Sequence, residues 1–184
     1  VKPTDIVNEK SVENALRMLL AISGSTNALV HLTAMAGRLG IDIPLKRLNE
    51  LSETTPVLVD LKPTGAYYME DFNAAGGVPA VMRELRDLLH LECKTVSGLT
   101  VGEIIERTPG WSDTDVIRPR KQPLREVGGL LGLFGSLAPN GALIKRAAAD
   151  ESLFEHTGRA VVFDNLEDLS KRIDDPDLDV KADD

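Results

Sequence analysis

The sequence predicts an α+β chain that is helical over residues 1–110 and β-rich over residues 111–184. Three observations carry this. Apolar residues recur at three-to-four spacing from Ser11 to about Arg107, the period of an amphipathic helix. After Pro109-Gly110 the period is lost, and short apolar runs alternate with Gly- and Pro-bearing turns. Hydrophobic residues make up 42% of the chain, enough to bury a core.

Val12, Ala15, Leu16, Leu19 and Leu20 form the apolar stripe of a first helix, with Ser11 as its expected N-cap. Ser23-Gly24-Ser25 interrupts that helix. A second starts near Thr26 or Asn27, runs through Ala28, Leu29, Leu32, Met35, Ala36 and Leu39, and ends at Gly40. Pro44 opens a short helical segment through Leu45, Leu48 and Leu51. Val57-Leu58-Val59 reads as a small buried strand, and Lys62-Pro63-Thr64-Gly65 as a turn. Tyr67 to Ala75 is expected to be helical, Gly76-Gly77 to break the helix, and Val78 to Leu89 to form another. In the second half Val116-Ile117, Leu130 to Phe134, Ala142 to Ile144 and Ala160 to Phe163 are expected strands. Asn165 to Ile173 is a helix capped by Asn165, and the Asp-rich end from Asp174 to Asp184 is expected to be frayed or cut in mid-domain.

Charge and cysteine content narrow the function classes. The balance of 21 Lys and Arg against 29 Asp and Glu leaves a formal net charge of -8, which argues against a nucleic-acid partner. Cys93 is the single cysteine, so no intramolecular disulfide and no two-thiol metal or redox motif forms within the chain, and a cytoplasmic, reducing setting is expected. No run approaches the roughly twenty apolar residues of a membrane span, so no membrane partner is expected. The chain begins at Val1 without an initiator Met and is expected to be a piece of something longer.

The best chemical candidate is Ser25-Thr26-Asn27, a glycine-flanked turn entering a helix, where free N–H groups and the helix dipole favour a carboxylate or phosphate. The same residues also suit simple capping. His31 shares that helical face and reads as a packing residue, while His90 and His156 lack partners at metal-ligand spacing and read as surface residues. Glu70-Asp71 reads as an acidic first turn, Gly76-Gly77 as punctuation and Cys93 as a half-buried thiol. Arg118, Arg120, Lys121 and Arg125 form a basic cluster that suits an interdomain, subunit or anion contact.

Taken in order, the landmark strings say more. Gly24-Ser25-Thr26-Asn27-Ala28 with His31-Leu32, Asp60-Leu61-Lys62-Pro63-Thr64-Gly65, Met69-Glu70-Asp71 and Ala75-Gly76-Gly77-Val78-Pro79-Ala80 resemble the middle of the dihydroxy-acid and sugar-acid dehydratases. Thr95-Val96-Ser97-Gly98, Val116-Ile117-Arg118-Pro119, Gly128-Gly129-Leu130, Leu137-Ala138-Pro139-Asn140-Gly141-Ala142 with Lys145, and Gly158-Arg159-Ala160-Val161-Val162-Phe163 continue the resemblance in register. Ser23 stands where a Gly is common and Ser136 where an Asn is common.

The resemblance implies a hydro-lyase that dehydrates a 2,3-dihydroxy carboxylic acid, either a sugar acid or a branched-chain dihydroxy acid, to a 2-keto acid. It implies an iron–sulfur cluster acting as Lewis acid and a nearby Mg²⁺, with their ligands outside this chain. Residues 1–110 would be the helical end of an α/β N-terminal, cluster-bearing domain, and residues 111–184 the start of a barrel-like C-terminal domain. The active site would lie between the two in a homodimer, with Ser25, Thr26 and Asn27 on its substrate side. A second reading, from the single cysteine, is that the chain as given is an inactive structural or interaction module.

Overall fold

The computed structural model describes residues 1–184 and divides into two compact units, Val1–Ala148 and Ala149–Asp184. In the first unit α1 (Pro3–Ile6), α2 (Glu9–Ala21), α3 (Thr26–Gly37) and α4 (Leu45–Glu53) follow one another, then α5 (Met69–Ala74), α6 (Gly77–Glu84) and α7 (Val101–Arg107). A two-stranded antiparallel sheet comes next, β1 (Leu131–Leu133) with β2 (Ala142–Ile144), in register Leu131 to Ile144 and Leu133 to Ala142. The second unit holds α8 (Leu166–Arg172). The chain is therefore α+β, with far more helix than strand. No helix is long and apolar enough to cross a membrane.

Two hydrophobic clusters share α2. Leu16, Leu19 and Leu20 pack with Leu29 of α3, Leu48 and Leu51 of α4, and Leu130. Ala21, at the end of the same helix, packs instead with Leu58, Val59, Phe72, Val81 and Ile117, flanked by Met18 and Ile22. A helix apolar on two faces has to sit between two layers, because each stripe must leave water. Its start differs from expectation: the cap is Asn8, whose Oδ1 accepts from Ser11 N at 3.0 Å. Ser11 sits three residues into the cap and accepts from Asn8 N at 2.9 Å, so the two residues satisfy each other's open donors.

Side chains of α4 close the open edge of β1. The Asn49 amide donates to Gly132 O at 2.9 Å and accepts from Gly132 N at 2.7 Å, imitating a neighbouring strand. The fully buried Ser52 hydroxyl donates to Leu130 O at 2.7 Å, and Gly128 N donates to Ser52 O at 2.8 Å. A three-residue strand with one partner strand is weak by itself, and these bonds pair the edge that β2 leaves open.

Three expected strands are absent. Val57–Val59 is extended and buried, yet Leu58 N donates to Ala21 O at 2.8 Å, Arg118 N donates to Leu58 O at 2.7 Å and Leu124 N donates to Val57 O at 2.9 Å. Its hydrogen bonds are shared among a helix end and two loops, leaving only isolated bridges at Val57–Arg125 and Val59–Ile117, so Val116-Ile117 is no strand either. Ala160–Phe163 has no ladder partner within its unit. There Arg172 donates to Val162 O at 3.3 Å and lies 4.9 Å from the Phe163 ring centre.

Ion pairs tie the Asp-rich end within the second unit. The Arg159 guanidinium grips the Asp179 and Asp184 carboxylates at 2.8 and 2.7 Å, which raises its pKa above the ordinary arginine range and lowers that of Asp184. Asn165 caps α8 as expected, its Oδ1 accepting from Asp168 N at 3.0 Å.

Asn49→Ala leaves the Gly132 N–H and C=O unpaired in a part-buried place, and is expected to cost about 2 kcal/mol. Urea unfolding monitored by circular dichroism checks this, and a loss below about 0.5 kcal/mol contradicts the edge-pairing role.

Candidate functional site

The candidate site grows from the way α2 ends. Ser23 N donates to Leu20 O at 3.2 Å and Gly24 N to Leu19 O at 2.9 Å, the paired bonds of a Schellman cap. Such a cap needs one left-handed residue, ordinarily glycine. Here that residue is Ser23, with φ of +49°, the only non-glycine residue of positive φ in the chain. Gly24 follows because a Cβ there would lie 2.4 Å from Leu19 Cδ1.

Ser23 is also the one buried side chain whose polar atom lacks a hydrogen-bond partner, at 8% exposure. Leaving a hydroxyl in that state costs about 1–3 kcal/mol. Its neighbour is Gly129, where a Cβ would stand 2.5 Å from Ser23 Oγ, and Gly129 N donates to Leu20 O at 3.4 Å. The Ser23 turn is thereby pressed against the segment that leads into β1.

The next residues start α3. Ser25 is its N-cap, with Oγ accepting from Asn27 N at 3.2 Å, so the capping reading holds for Ser25. Thr26 is half-buried at the first helical position, and the Asn27 side chain is exposed with its amide free to bind. Three consecutive polar residues thus sit at the positive end of a 12-residue helix. Part of that end is already satisfied by its own chain, since Ala28 N donates to Ser25 O at 3.0 Å.

Beside this turn lies a cavity of about 220 Å³, below the roughly 300 Å³ at which whole-ligand pockets begin. Ser23, Asp60, Thr64 and Arg125 line it on the polar side, with Val57 and Leu124 among its apolar walls. Ser25, Thr26 and Asn27 do not line it. The Asp60–Gly65 turn is tightly built: Asp60 Oδ1 accepts from Ala66 N at 3.0 Å, Gly65 N donates to Leu61 O at 2.8 Å, and a Cβ at Gly65 would meet Asp60 Oδ1 at 2.0 Å. Only glycine fits there.

The remaining candidates separate cleanly. His31 is exposed on α3 rather than packed. His90 is half-buried and bonded, with Nε2 3.0 Å from Glu13 Oε2, while Glu13 Oε1 accepts from Arg47 Nη2 at 2.6 Å. Burial pushes the Glu13 carboxyl up, but its bonds to His90 and Arg47 outweigh this and hold it below the usual range. Asp71 caps α5 by accepting from Tyr68 N at 2.8 Å, and Gly76 takes a left-handed φ of +115°, so both serve the backbone. Arg120 is engaged within the fold, its backbone N–H donating to Glu84 Oε2 at 3.0 Å and its guanidinium to Asp87 Oδ2 at 3.5 Å.

Cys93 is buried, its thiol pushed up by that burial and next by Glu92, the opposite of a reactive thiolate. No three His, Cys, Asp or Glu side chains converge to hold a metal ion.

Sequence reasoning found the α3 start but missed Ser23, Asp60 and Thr64 as one cavity wall. A Ser-Gly pair after a helix suggests that the glycine takes the left-handed position, and here the serine takes it.

Two family models match this chain. Residues 1–104 match one described as the N-terminal part of dihydroxy-acid/6-phosphogluconate dehydratase, and residues 115–184 match one described as the C-terminal part. The chain belongs to the dihydroxy-acid/6-phosphogluconate dehydratase family. Among its relatives, the L-arabinonate dehydratase of Rhizobium leguminosarum bv. trifolii is 43% identical over 182 residues, which is 98% of this chain and 31% of that protein. The dihydroxy-acid dehydratase of Methanococcoides burtonii is 45% identical over 171 residues, 91% of this chain and 31% of the relative. The L-arabonate dehydratase of Azospirillum brasilense is 43% identical over 180 residues, 96% of this chain and 31% of the relative. The chain spans about 31% of the length of each of these relatives.

Within this dehydratase-family chain, relieving the left-handed serine should be visible in stability. Ser23→Gly removes both the backbone strain and the orphaned hydroxyl, and is expected to stabilise by about 1 kcal/mol in thermal or denaturant unfolding. A destabilised variant contradicts the cap geometry.

Proposed function

We propose that this chain is the middle part of a hydro-lyase that dehydrates a 2,3-dihydroxy carboxylic acid to a 2-keto acid. The observation that carries the reading is the pair of dehydratase family models matched in order along one chain. Relatives named for both a sugar acid and a dihydroxy acid support the substrate class. The domain boundary is placed near residue 110, with residues 1–110 ending an α/β domain and residues 111–184 beginning a barrel-like one. The parent is a cytoplasmic homodimer taking a small-molecule substrate.

In the overall reaction a base takes the C2 proton, the C3–O bond breaks and the hydroxyl leaves as water, and the resulting enol becomes the 2-keto acid. The substrate's carboxylate has to be held while this happens. In our reading Ser25, Thr26 and Asn27 do so, presenting the α3 start and the Asn27 amide to the carboxylate.

An iron–sulfur cluster and Mg²⁺ belong to the proposal for the parent, but the donors of this chain do not fit them. Its one thiol is buried with a raised pKa, and no three metal-binding side chains converge. Their ligands are assigned to other parts of the parent. The same observation favours a second reading for the piece by itself, that it is inactive and serves as substrate wall and domain junction.

Replacing Thr26 and Asn27 together by Ala in the full-length protein is expected to lower kcat/KM for 2-keto-acid formation about 10- to 100-fold, the value of hydrogen bonds to a charged group. Unchanged kinetics contradict the assignment of these residues to substrate.

A further inference from the structure

We propose that the outer side of α3, formed by Val30, Ala34, Met35 and Gly37, is a docking face, and that its occupant is a segment of the same subunit that precedes Val1 in the full-length protein. The inference stands on packing alone and does not depend on the dehydratase reading.

This face is built unlike those of its neighbours. α2 and α4 turn charged side chains to water, Glu9 and Lys10 on the first and Lys46, Arg47, Glu50 and Glu53 on the second. The twelve residues of α3 include no Asp, Glu, Lys or Arg, and His31 is their single titratable side chain. Leu29 and Ala36 bury the inner side against the core, yet Val30 is 64% and Met35 57% exposed on the outer side. A helix apolar on both sides belongs between two layers, and this chain supplies only one.

Gly37 is an independent sign of close approach. It takes no left-handed φ, and a Cβ placed on it would meet nothing within 4 Å. Nothing in this chain therefore needs a glycine there, although glycine weakens a helix relative to alanine. Val30, Ala34 and Gly37 are spaced by four and three residues, so they line one stripe along which another backbone can come near.

The occupant follows from where the chain starts and from the size of the face. Thr4, Val7 and Asn8 line one cavity with Leu39 and Ile41, and Val7 packs on the cluster that holds Leu29 and Ala36. Chain entering at Val1 thus arrives beside the far end of α3, and with about 31% of its relatives' length spanned here the full-length protein has ample chain to fold back over that helix. One side of a 12-residue helix is about 18 Å long and about 10 Å wide. That is on the order of 200 Å², well short of the roughly 800 Å² that each partner buries in a stable pair of subunits, whereas a segment of the same chain docks at high effective concentration. Asn27 lies one turn before Val30 and His31, so the segment also walls the start of α3.

The test uses the full-length protein carrying this chain. A photoreactive benzophenone side chain replaces Met35 in one preparation and Val30 in another, and the linked peptides are identified by mass spectrometry. Val30→Glu and Met35→Glu are melted alongside the wild type. Light is expected to join both positions to a peptide preceding Val1 in the same subunit, with no band of doubled mass on a denaturing gel. Each Glu variant is expected to melt about 5 °C or more below the wild type, because its carboxylate would be buried without a partner. A link between two subunits gives the face to a second copy and overturns the inference, as do links to other peptides only, or none from either position. Melting temperatures within about 1 °C of the wild type overturn it as well, since they leave the face open to water.

Discussion

The first unit depends on α2 being apolar on two faces. Its middle turns bury Leu16, Leu19 and Leu20 against α3, α4 and Leu130, while its last turn buries Ala21 against Leu58, Phe72 and Ile117. Two otherwise separate clusters are thus joined through one rod, and the position of its C-terminal end is set from both sides. The Schellman cap, the left-handed Ser23 and the start of α3 all follow from where that end is held. Removing a buried leucine such as Leu20, fully shielded from solvent, would therefore disturb more than local packing.

The same arrangement explains why the glycines near residue 128 are needed. Gly128 lies against Leu20 and Ser52, where a Cβ would come within 2.9 Å and 2.7 Å, and Gly129 lies against Ser23. Backbone approaches helix directly there, and β1 begins two residues later, paired by Asn49 on its free edge. Arg146, after β2, returns to the same point and donates to Gly128 O at 3.0 Å. Segments far apart in sequence are thus held together by backbone contacts that tolerate no side chain.

Elements set by local periodicity were legible. The start of α3 at Thr26, its Ser25 cap, α4, β1, β2 and the Asn165 cap all follow from residues within one or two turns of each other. What depended on distant partners was not. Val57–Val59 has strand composition, but its hydrogen bonds go to Ala21, Arg118 and Leu124 rather than to one neighbour. Asn49 pairing with Gly132, and His90 with Glu13, join positions far apart, which no spacing rule reaches. The Thr100-x-x-Glu103 capping box at α7 is a local signal of the same kind as the Asn165 cap. At the site, Ser25, Thr26 and Asn27 were readable as a helix start, whereas the Ser23 cavity required the fold.

In the proposed reading the start of α3, at Ser25, Thr26 and Asn27, holds the carboxylate of a small hydroxy acid. Backbone amide NMR of the labelled chain, titrated with L-arabinonate, tests it most directly. The account predicts saturable shifts concentrated at Ser25 to Ala28. Shifts scattered over the surface, or none at saturating acid, would contradict it.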